Sequence, residues 1–171
     1  PLESLLEHLD SIGAAHAVIV QPSVYAFDNA CLLDALIRSD GRCTGIAVPP
    51  PDSGLDDLQR LDAAGVRGLR CNVLNAGGLQ LEQSEAWWPW MRDHGWVLQL
   101  QIDVTQQDIA VLVDRPGLPD LVIDHMGFPP PGVEPSAIAA LCDAVAAGLA
   151  HVKLSAPYRL STLAPPHDDV L

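Results

Sequence analysis

The segment "VLQLQID" (Val97–Asp103) alternates apolar with polar residues, and its polar positions are the features that decide the fold. Gln99 and Gln101 lie two residues apart, so in a β-strand their side chains point to the same face. A polar side chain on an otherwise buried strand is costly unless it lines a wet or functional cavity. The segment therefore predicts a strand with one face directed at such a cavity.

Two other segments repeat this spacing. In "RGLRCN" (residues 67–72), Arg70 and Asn72 share a face, and in "HVKLS" (residues 151–155), Lys153 and Ser155 do so. Polar residues at period two therefore occur near the carboxyl ends of several strands, which is where parallel α/β folds collect their chemistry.

These segments belong to a series of six runs with strand character, whose starts are separated by 24 to 30 residues. That interval is the length of one strand and one helix. The runs are mostly apolar, as is typical of parallel strands covered on both faces. They start at Ala17, Cys43, Arg67, Val97, Leu121 and His151.

The intervening segments have helical periodicity and helix stop signals. In "NACLLDALIRSDG" we expect Asn29 to cap the helix. In "SEAWWPWMRDHG" we expect the helix to start near Trp88, with Pro89 in its first turn. The next two helices are predicted to open at Thr105 and Ser136.

Two parallel α/β folds compete for this order. A doubly wound sheet usually carries GxGxxG after its first strand, where this chain has "QPSVYAFDN", and it would bury the polar strand residues under helices. A (β/α)₈ TIM barrel has a cavity for them, although it needs eight units and typically about 250 residues. We therefore predict one α/β domain over residues 1–171, an incomplete TIM barrel with six of eight strands, and a proline-rich tail at residues 162–171.

Composition excludes several classes of partner. The 171 residues include 22 acidic and 9 basic side chains, for a formal charge of −13. Such a surface repels nucleic acid and anionic lipid. No apolar run approaches the roughly 18 residues of a membrane span, and no signal peptide is evident. We expect a cytoplasmic protein that binds a small molecule, and a homo-oligomer is compatible with the sequence.

The segment "LVIDHMGFPPPG" (Leu121–Gly132) places a histidine where an apolar strand ends. His125 is accordingly a candidate functional residue, whereas a hydrogen-bonded loop histidine is the plainer interpretation. Asp124 has the opposite parity and is expected to cap or brace the turn. Arg70 and Lys153 could each simply pair with a neighbouring acid.

Three motifs in this order and spacing, "RGLRCN", "VIDHMG" and "VKLSAPYRLS", resemble the amidohydrolase-related TIM-barrel hydrolases. The most similar branch includes 2-pyrone-4,6-dicarboxylate lactonase and related sugar and muconolactone lactonases. The resemblance covers nearly the whole chain, up to about Ser161, and the "DHMG" element is its most specific part.

The resemblance implies a role for several residues. His125 would be catalytic, helping to activate water or polarising the lactone carbonyl. Arg70 would bind a carboxylate or carbonyl of the substrate, since a guanidinium can make two parallel hydrogen bonds. Tyr25 and Arg159 match positions that contact substrate or bind anions. The polar strand ends add two further substrate-binding candidates, Asn72 and Gln101.

The chain also departs from the family pattern. Members with two metals use a histidine on the fifth strand, where this chain has Gln99 and Gln101. The resemblance therefore implies either no metal or one divalent ion, zinc or manganese, with His125 as a ligand, and argues against a binuclear site. The family's first-strand His-x-His and its final aspartate, the usual general base, are also absent.

These departures leave two functional hypotheses. In the first, the chain represents part of a longer barrel, a hydrolase that directs water at a lactone or similar cyclic ester of a small carboxylated metabolite. In the second, it is a catalytically inactive or fragmentary barrel that binds a small anionic metabolite.

Overall fold

The computed structural model describes residues 2–74 and 78–170. The last residue of the predicted tail, residue 171, lies outside the described part. Seven α-helices and six strands occur along the described chain. The strands are β1 Ala17–Val20, β2 Cys43–Ala47, β3 Val66–Asn72, β4 Val97–Gln101, β5 Asp120–Ile123 and β6 Ala150–Val152. The helices are α1 Leu2–Ser11, α2 Ala30–Arg38, α3 Leu55–Ala63, α4 Leu81–Ser84, α5 Trp88–Asp93, α6 Ile109–Val113 and α7 Ala139–Ala146.

The strand order decides between the two predicted folds. Within the described residues, the six strands form one sheet in the order β1-β2-β3-β4-β5-β6, and every neighbouring pair is parallel. A doubly wound sheet reverses its strand order at a switch point, whereas a barrel adds each strand beside the previous one. The sheet curls as part of a TIM barrel. The predicted fold class is confirmed, and each strand starts within one residue of its predicted position.

The helices α5 to α7 show where local signals succeeded and where they were wrong. Helix α5 starts at Trp88, as predicted. Helix α6 starts at Ile109 instead of near Thr105, because the Asp108 carboxylate accepts a hydrogen bond from the Val111 amide and caps the helix there. The segment opening at Ser136 forms a 3₁₀ turn, and α7 follows only from Ala139.

Asn29 precedes α2, but its side chain does not cap the helix. Its amide nitrogen donates to the carbonyls of Phe27 and Val48, and its amide oxygen accepts from the Val48 backbone nitrogen at 3.0 Å. Asn29 therefore ties the loop after β1 to the end of β2. The neighbouring Asp28 carboxylate accepts from the Ala30 amide instead.

The core lies between the convex face of the sheet and the helices. On the central strands, residues of this face are fully buried, and tryptophans from the α4–α5 region pack against them, whereas Ile19 on β1 and Val152 on β6 are partly buried. Apolar burial of this kind is the main favourable term in folding. The central members of the core are Leu69, Cys71, Leu98, Leu100, Leu121, Ile123, Trp87, Trp88 and Met91.

The two outer strands have one partner each within the described residues, β1 pairing with β2 and β6 with β5. Val18 on β1 is 61% exposed, and Leu154, just after β6, is 81% exposed. Beside β6, an apolar groove of about 620 Å³ runs between α7 and the tail. The tail folds back through turns, with the Asp169 carboxylate accepting from the Thr162 amide at 2.9 Å.

Candidate active site

The polar strand residues meet on the concave face of the sheet. Parallel pairing sets Arg70 beside Gln99 and Asn72 beside Gln101. Asp124 follows β5 on the same face, since Gln99 pairs with the residue two positions before it. All five residues are at most 8% exposed. The parity argument made from sequence therefore placed the polar strand ends on one face correctly.

Arg70 makes the largest number of side-chain contacts described on this face. Its Nε donates to Asp124 Oδ2 at 3.0 Å, and its Nη2 donates to Gln101 Oε1. Its Nη1 lies 3.4 Å from the Gln21 carbonyl oxygen and 3.2 Å from Ser23 Oγ. A guanidinium has five N–H groups. Four of them point to acceptors among the described residues, which leaves one for a ligand.

Asp124 is the buried anion of the site, with 1% of its side chain exposed. Besides Arg70, its carboxylate accepts from Gln99 Nε2 at 2.8 Å and pairs with Lys153 Nζ at 3.0 Å. The expectation that Asp124 caps or braces the turn was wrong for its side chain, which points onto the concave face. The plainer interpretation of Arg70 and Lys153, that each pairs with a neighbouring acid, is confirmed.

Ser23 and Asn72 extend the network to the loop after β1. Ser23 Oγ accepts from Arg70 Nη1 and, at 3.4 Å, from Asn72 Nδ2. A hydroxyl has one hydrogen to donate, so this arrangement leaves the Ser23 hydrogen for a third partner. Asn72 Oδ1 accepts from the Leu74 amide at 3.2 Å.

His125 is presented by an unusual turn. His125, Met126 and Phe128 have φ angles of 50°, 56° and 51°, and Gly127 between them has 78°. Left-handed conformations at non-glycine residues are strained and cluster at functional sites. The turn is held by Met126 N donating to the Lys153 carbonyl at 3.1 Å and by Gly127 N donating to the Asp124 carbonyl at 2.9 Å.

The ring of His125 is fixed from two sides. Its Nδ1 lies 2.8 Å from Ser155 Oγ, and the Phe128 ring packs edge-on at a centroid distance of 5.1 Å. Burial lowers the pKa of His125 below its usual value, and Lys153, Arg159 and Arg70 lower it further, whereas the Asp124 carboxylate acts in the opposite direction. The neutral imidazole is therefore favoured near pH 7, and its hydrogen bond to Ser155 uses Nδ1 rather than Nε2.

Two predicted substrate residues lie away from this network. Tyr25 is half-exposed in the 3₁₀ turn Ser23–Tyr25 and lines a crevice between α1, α2 and β1. From the same turn, Ser23 contacts Arg70 instead. Arg159 is exposed in the turn Pro157–Arg159, close enough for its charge to act on His125.

The concave face does not by itself make a metal site. Among residues 2–74 and 78–170, no group of three His, Cys, Asp or Glu side chains could hold an ion. The carboxylate nearest to His125 in sequence, Asp124, already binds two cationic side chains and an amide, which a metal ion would have to displace. The described donors therefore do not complete a metal site on their own.

A protein-family model described as Amidohydrolase matches residues 1–170. The chain belongs to the amidohydrolase family. Metal dependence is general in this family. The chain is 29% identical to a 4-sulfomuconolactone hydrolase of Rhizobium radiobacter. The alignment includes all of this chain and 59% of that protein.

Solved structures agree with this assignment. A Pseudomonas putida candidate 2-pyrone-4,6-dicarboxylic acid hydrolase superimposes with a TM-score of 0.81 at 32% identity, with 98% of this chain covered and 62% of that one. An Acinetobacter baumannii counterpart with citric acid bound has a TM-score of 0.79 at 28% identity, with coverages of 96% and 62%. This amidohydrolase chain thus spans about three fifths of the length of these relatives.

Sequence reasoning missed two members of the site. Ser23 is a single polar residue in a loop, and nothing in its local pattern marks it. Asp124 did carry a signal, because residue 124 follows a strand that ends at Ile123 and is two positions after the partner of Gln99, so both side chains point to the same face.

No helix of the described residues is long and apolar enough to cross a membrane.

Proposed function

We propose that the full-length protein hydrolyses a lactone that carries at least one carboxylate. The observation that carries this proposal is the concave face itself, where a largely neutral histidine lies beside two cationic side chains in a chain of net charge −13. A local positive site on an acidic protein favours a small anion. The lactone hydrolases among its relatives, and the citric acid bound to one of them, support the same substrate class.

In the proposed reaction, the oxygen of water bonds to the lactone carbonyl carbon, and the ring C–O bond then breaks. One water proton goes to a general base, and the leaving oxygen of the opened ring takes up a proton. The resemblance implies an aspartate base on a strand that these six do not include. Asp124 is unsuited to that task because Arg70, Lys153 and Gln99 already occupy its oxygens.

We infer that His125 hydrogen-bonds to the carbonyl oxygen as negative charge develops there. If the Ser155 hydroxyl donates to Nδ1, then Nε2 carries the hydrogen and points it toward the ligand. Ser155 would thus select the tautomer, much as the partners of other catalytic histidines do. Stabilisation of an oxyanion by a fixed donor is a large catalytic effect in a site that excludes water.

Several assignments belong to this proposal. Arg70, Asn72 and Gln101 form the buried floor under the substrate, and Arg159 supplies a cation at the rim. Tyr25 remains a candidate contact from the loop after β1. We propose at most one divalent ion, with any further ligands from outside the described residues, and no nucleic acid or membrane partner. We also propose a cytoplasmic location and leave a homo-oligomer open.

The test is a pair of substrates that share a ring but differ in charge. Hydrolysis of 2-pyrone-4,6-dicarboxylate and of unsubstituted 2-pyrone can each be followed by loss of ring absorbance. The proposal predicts that kcat/KM for the dicarboxylate exceeds that for 2-pyrone by at least about 100-fold, the worth of one or two charge-assisted hydrogen bonds. Equal values, or hydrolysis of neither compound, would contradict it.

One observation favours a second candidate, a module that binds an anionic metabolite without reaction. Among the described residues, the buried carboxylate on the concave face already accepts from Arg70, Gln99 and Lys153, so this carboxylate is not free to act as the general base. Calorimetric binding of citrate without hydrolysis of either pyrone would favour this candidate.

A further inference from the structure

We propose that Lys153 binds the carboxylate of the substrate, in the role that sequence reasoning gave to Arg70. This inference rests on the proposed function and names the group that would select its substrates. Lys153 is the only lysine among the 171 residues. The single lysine ammonium group of a strongly acidic chain thus lies on the concave face, beside a buried carboxylate.

Arg70 is poorly placed to take a carboxylate with two hydrogen bonds. Its side chain is 10% exposed, and four of its five N–H groups point to Asp124, Gln101, Gln21 and Ser23. Binding a ligand through both Nη atoms would break contacts that are already buried, which costs free energy. Arg70 is therefore better suited to hold the floor of the site than to grip a ligand.

Lys153 has the capacity that Arg70 lacks. An ammonium group has three N–H donors, and the contact with Asp124 Oδ1 at 3.0 Å uses one of them. The Lys153 side chain is 35% exposed, so a ligand on the concave face can reach the other two. Asp124 holds the ammonium at the mouth of the site without covering it.

The balance of charge agrees with this assignment. Asp124 carries one negative charge between two cations, and its contact with Arg70 Nε is the more buried of the two ion pairs. The cluster of these three groups therefore has a net charge of +1, and its exposed positive end is Lys153. A single carboxylate of a ligand would neutralise the cluster.

Position along the chain links Lys153 to the reacting group. Lys153 Nζ pairs with Asp124, and two residues further on Ser155 Oγ lies 2.8 Å from Nδ1 of the adjacent His125. The Lys153 backbone also binds this turn, since its carbonyl accepts from the Met126 amide. A carboxylate held by Lys153 would thus bring the adjoining lactone ring beside His125.

The experiment compares Lys153→Met, Lys153→Arg and the control Arg92→Gln in the full-length protein. Arg92 is an exposed cation on α5, remote from the concave face, and its loss changes net charge equally. For Lys153→Met, we expect the KM for 2-pyrone-4,6-dicarboxylate to rise about 10- to 100-fold, the worth of one charge-assisted hydrogen bond. The KM for 2-pyrone should change far less than the KM for the dicarboxylate, because 2-pyrone has no carboxylate for Lys153 to bind, and Lys153→Arg should recover part of the affinity for the dicarboxylate.

Citrate binding by calorimetry keeps this inference separate from the proposed function. If the wild-type protein binds citrate but hydrolyses neither pyrone, a tenfold or greater loss of citrate affinity in Lys153→Met alone would support the inference while the lactone hydrolase proposal fails. Equal effects of Lys153→Met on the charged and uncharged pyrones, or citrate affinity like that of Arg92→Gln, would overturn it. Failure of the wild-type protein both to bind citrate and to hydrolyse a pyrone would overturn both.

Discussion

His125 is the residue whose surroundings bear most directly on the chemistry. Its pKa is lowered, first by burial and then by Lys153, Arg159 and Arg70. Loss of one of these cations should therefore raise it. We predict that the pKa of His125, measured by NMR titration of its ring in the presence of a chelator, lies below 6.5 and moves upward in Lys153→Met.

The same shift has a consequence for stability. Because the unfolded chain binds the proton more readily than the folded one, His125 lowers the free energy of unfolding as pH falls from about 6.5 through its folded pKa. A His125 pKa above 6.5 in the wild-type protein, or one that falls when Lys153 is removed, would contradict this description of the site.

Asp124 is the residue on which the concave face depends for its order. Asp124→Asn would leave Arg70 and Lys153 without their shared anion, and removing one partner of a buried pair typically costs about 3–5 kcal/mol. We predict a loss of that size in the free energy of unfolding, measured by urea denaturation. Asp34→Asn, which removes an exposed partner of Arg38, should change little. A small effect of Asp124→Asn would show that the network is dispensable.

For single residues, the sequence predicted which side chains belong to the site more readily than which hydrogen bonds they make. Period-two polarity identified Arg70, Asn72, Gln99 and Gln101 as residues of one face, because strand geometry fixes which side chains share a side. The alternation of polar residues could not show that the Arg70 guanidinium donates hydrogen bonds to Asp124 and Gln101. Those contacts join residues 31 and 54 positions apart, and they depend on tertiary distances that no local pattern contains.

Among the elements, the turn after β5 has the most demanding geometry. Gly127 has φ +78°, and a Cβ there would lie 2.4 Å from Val104 Cγ1. The carbonyl of Gly127 also accepts from the Val104 amide at 2.8 Å. The glycine therefore allows the loop after β4 to approach the turn that carries His125.

We predict that Gly127→Ala destabilises the protein more than Gly132→Ala does. Gly132 has φ +72°, and no atom lies within 4 Å of the position that a Cβ would take, so its substitution incurs only the left-handed penalty of about 1–2 kcal/mol. Gly127→Ala adds overpacking against Val104, typically about 1–3 kcal/mol. Thermal unfolding of the two variants measures the difference, and equal values would show that the contact with Val104 relaxes freely.

Element boundaries were predicted unevenly, for a physical reason. Strand starts were accurate because apolar runs and the glycine stops that precede them are local signals. The predicted start of α6 was wrong because Asp108 caps the helix in place of Thr105. The predicted start of α7 was wrong because the segment first forms a 3₁₀ turn at Pro135–Ile138. The neighbour relations of the strands followed from the fold class, since a barrel places consecutive strands side by side.

At the scale of the whole sheet, the described residues form two outer edges. Strands β1 and β6 each have one partner among the described residues, and the apolar groove beside β6 is exposed. Unpaired edges and large apolar patches promote association. We predict that the 171 residues expressed alone self-associate, with a mass by light scattering that rises with concentration. Val145→Glu places a charge in the groove and should reduce this self-association more than Ile37→Glu, which places a charge on the exposed surface of α2. A monodisperse species of 18.2 kDa would contradict the prediction.

The central claim is that His125, on the concave face, assists hydrolysis of a carboxylated lactone. It is tested most directly by kcat for 2-pyrone-4,6-dicarboxylate in His125→Ala of the full-length protein, with His8→Ala as the control. His8 is an exposed histidine on α1, away from the concave face. We predict a loss of about 100- to 1,000-fold for His125→Ala, the usual cost of removing a donor to an oxyanion, and near wild-type kcat for His8→Ala. Unchanged hydrolysis in His125→Ala would contradict the claim.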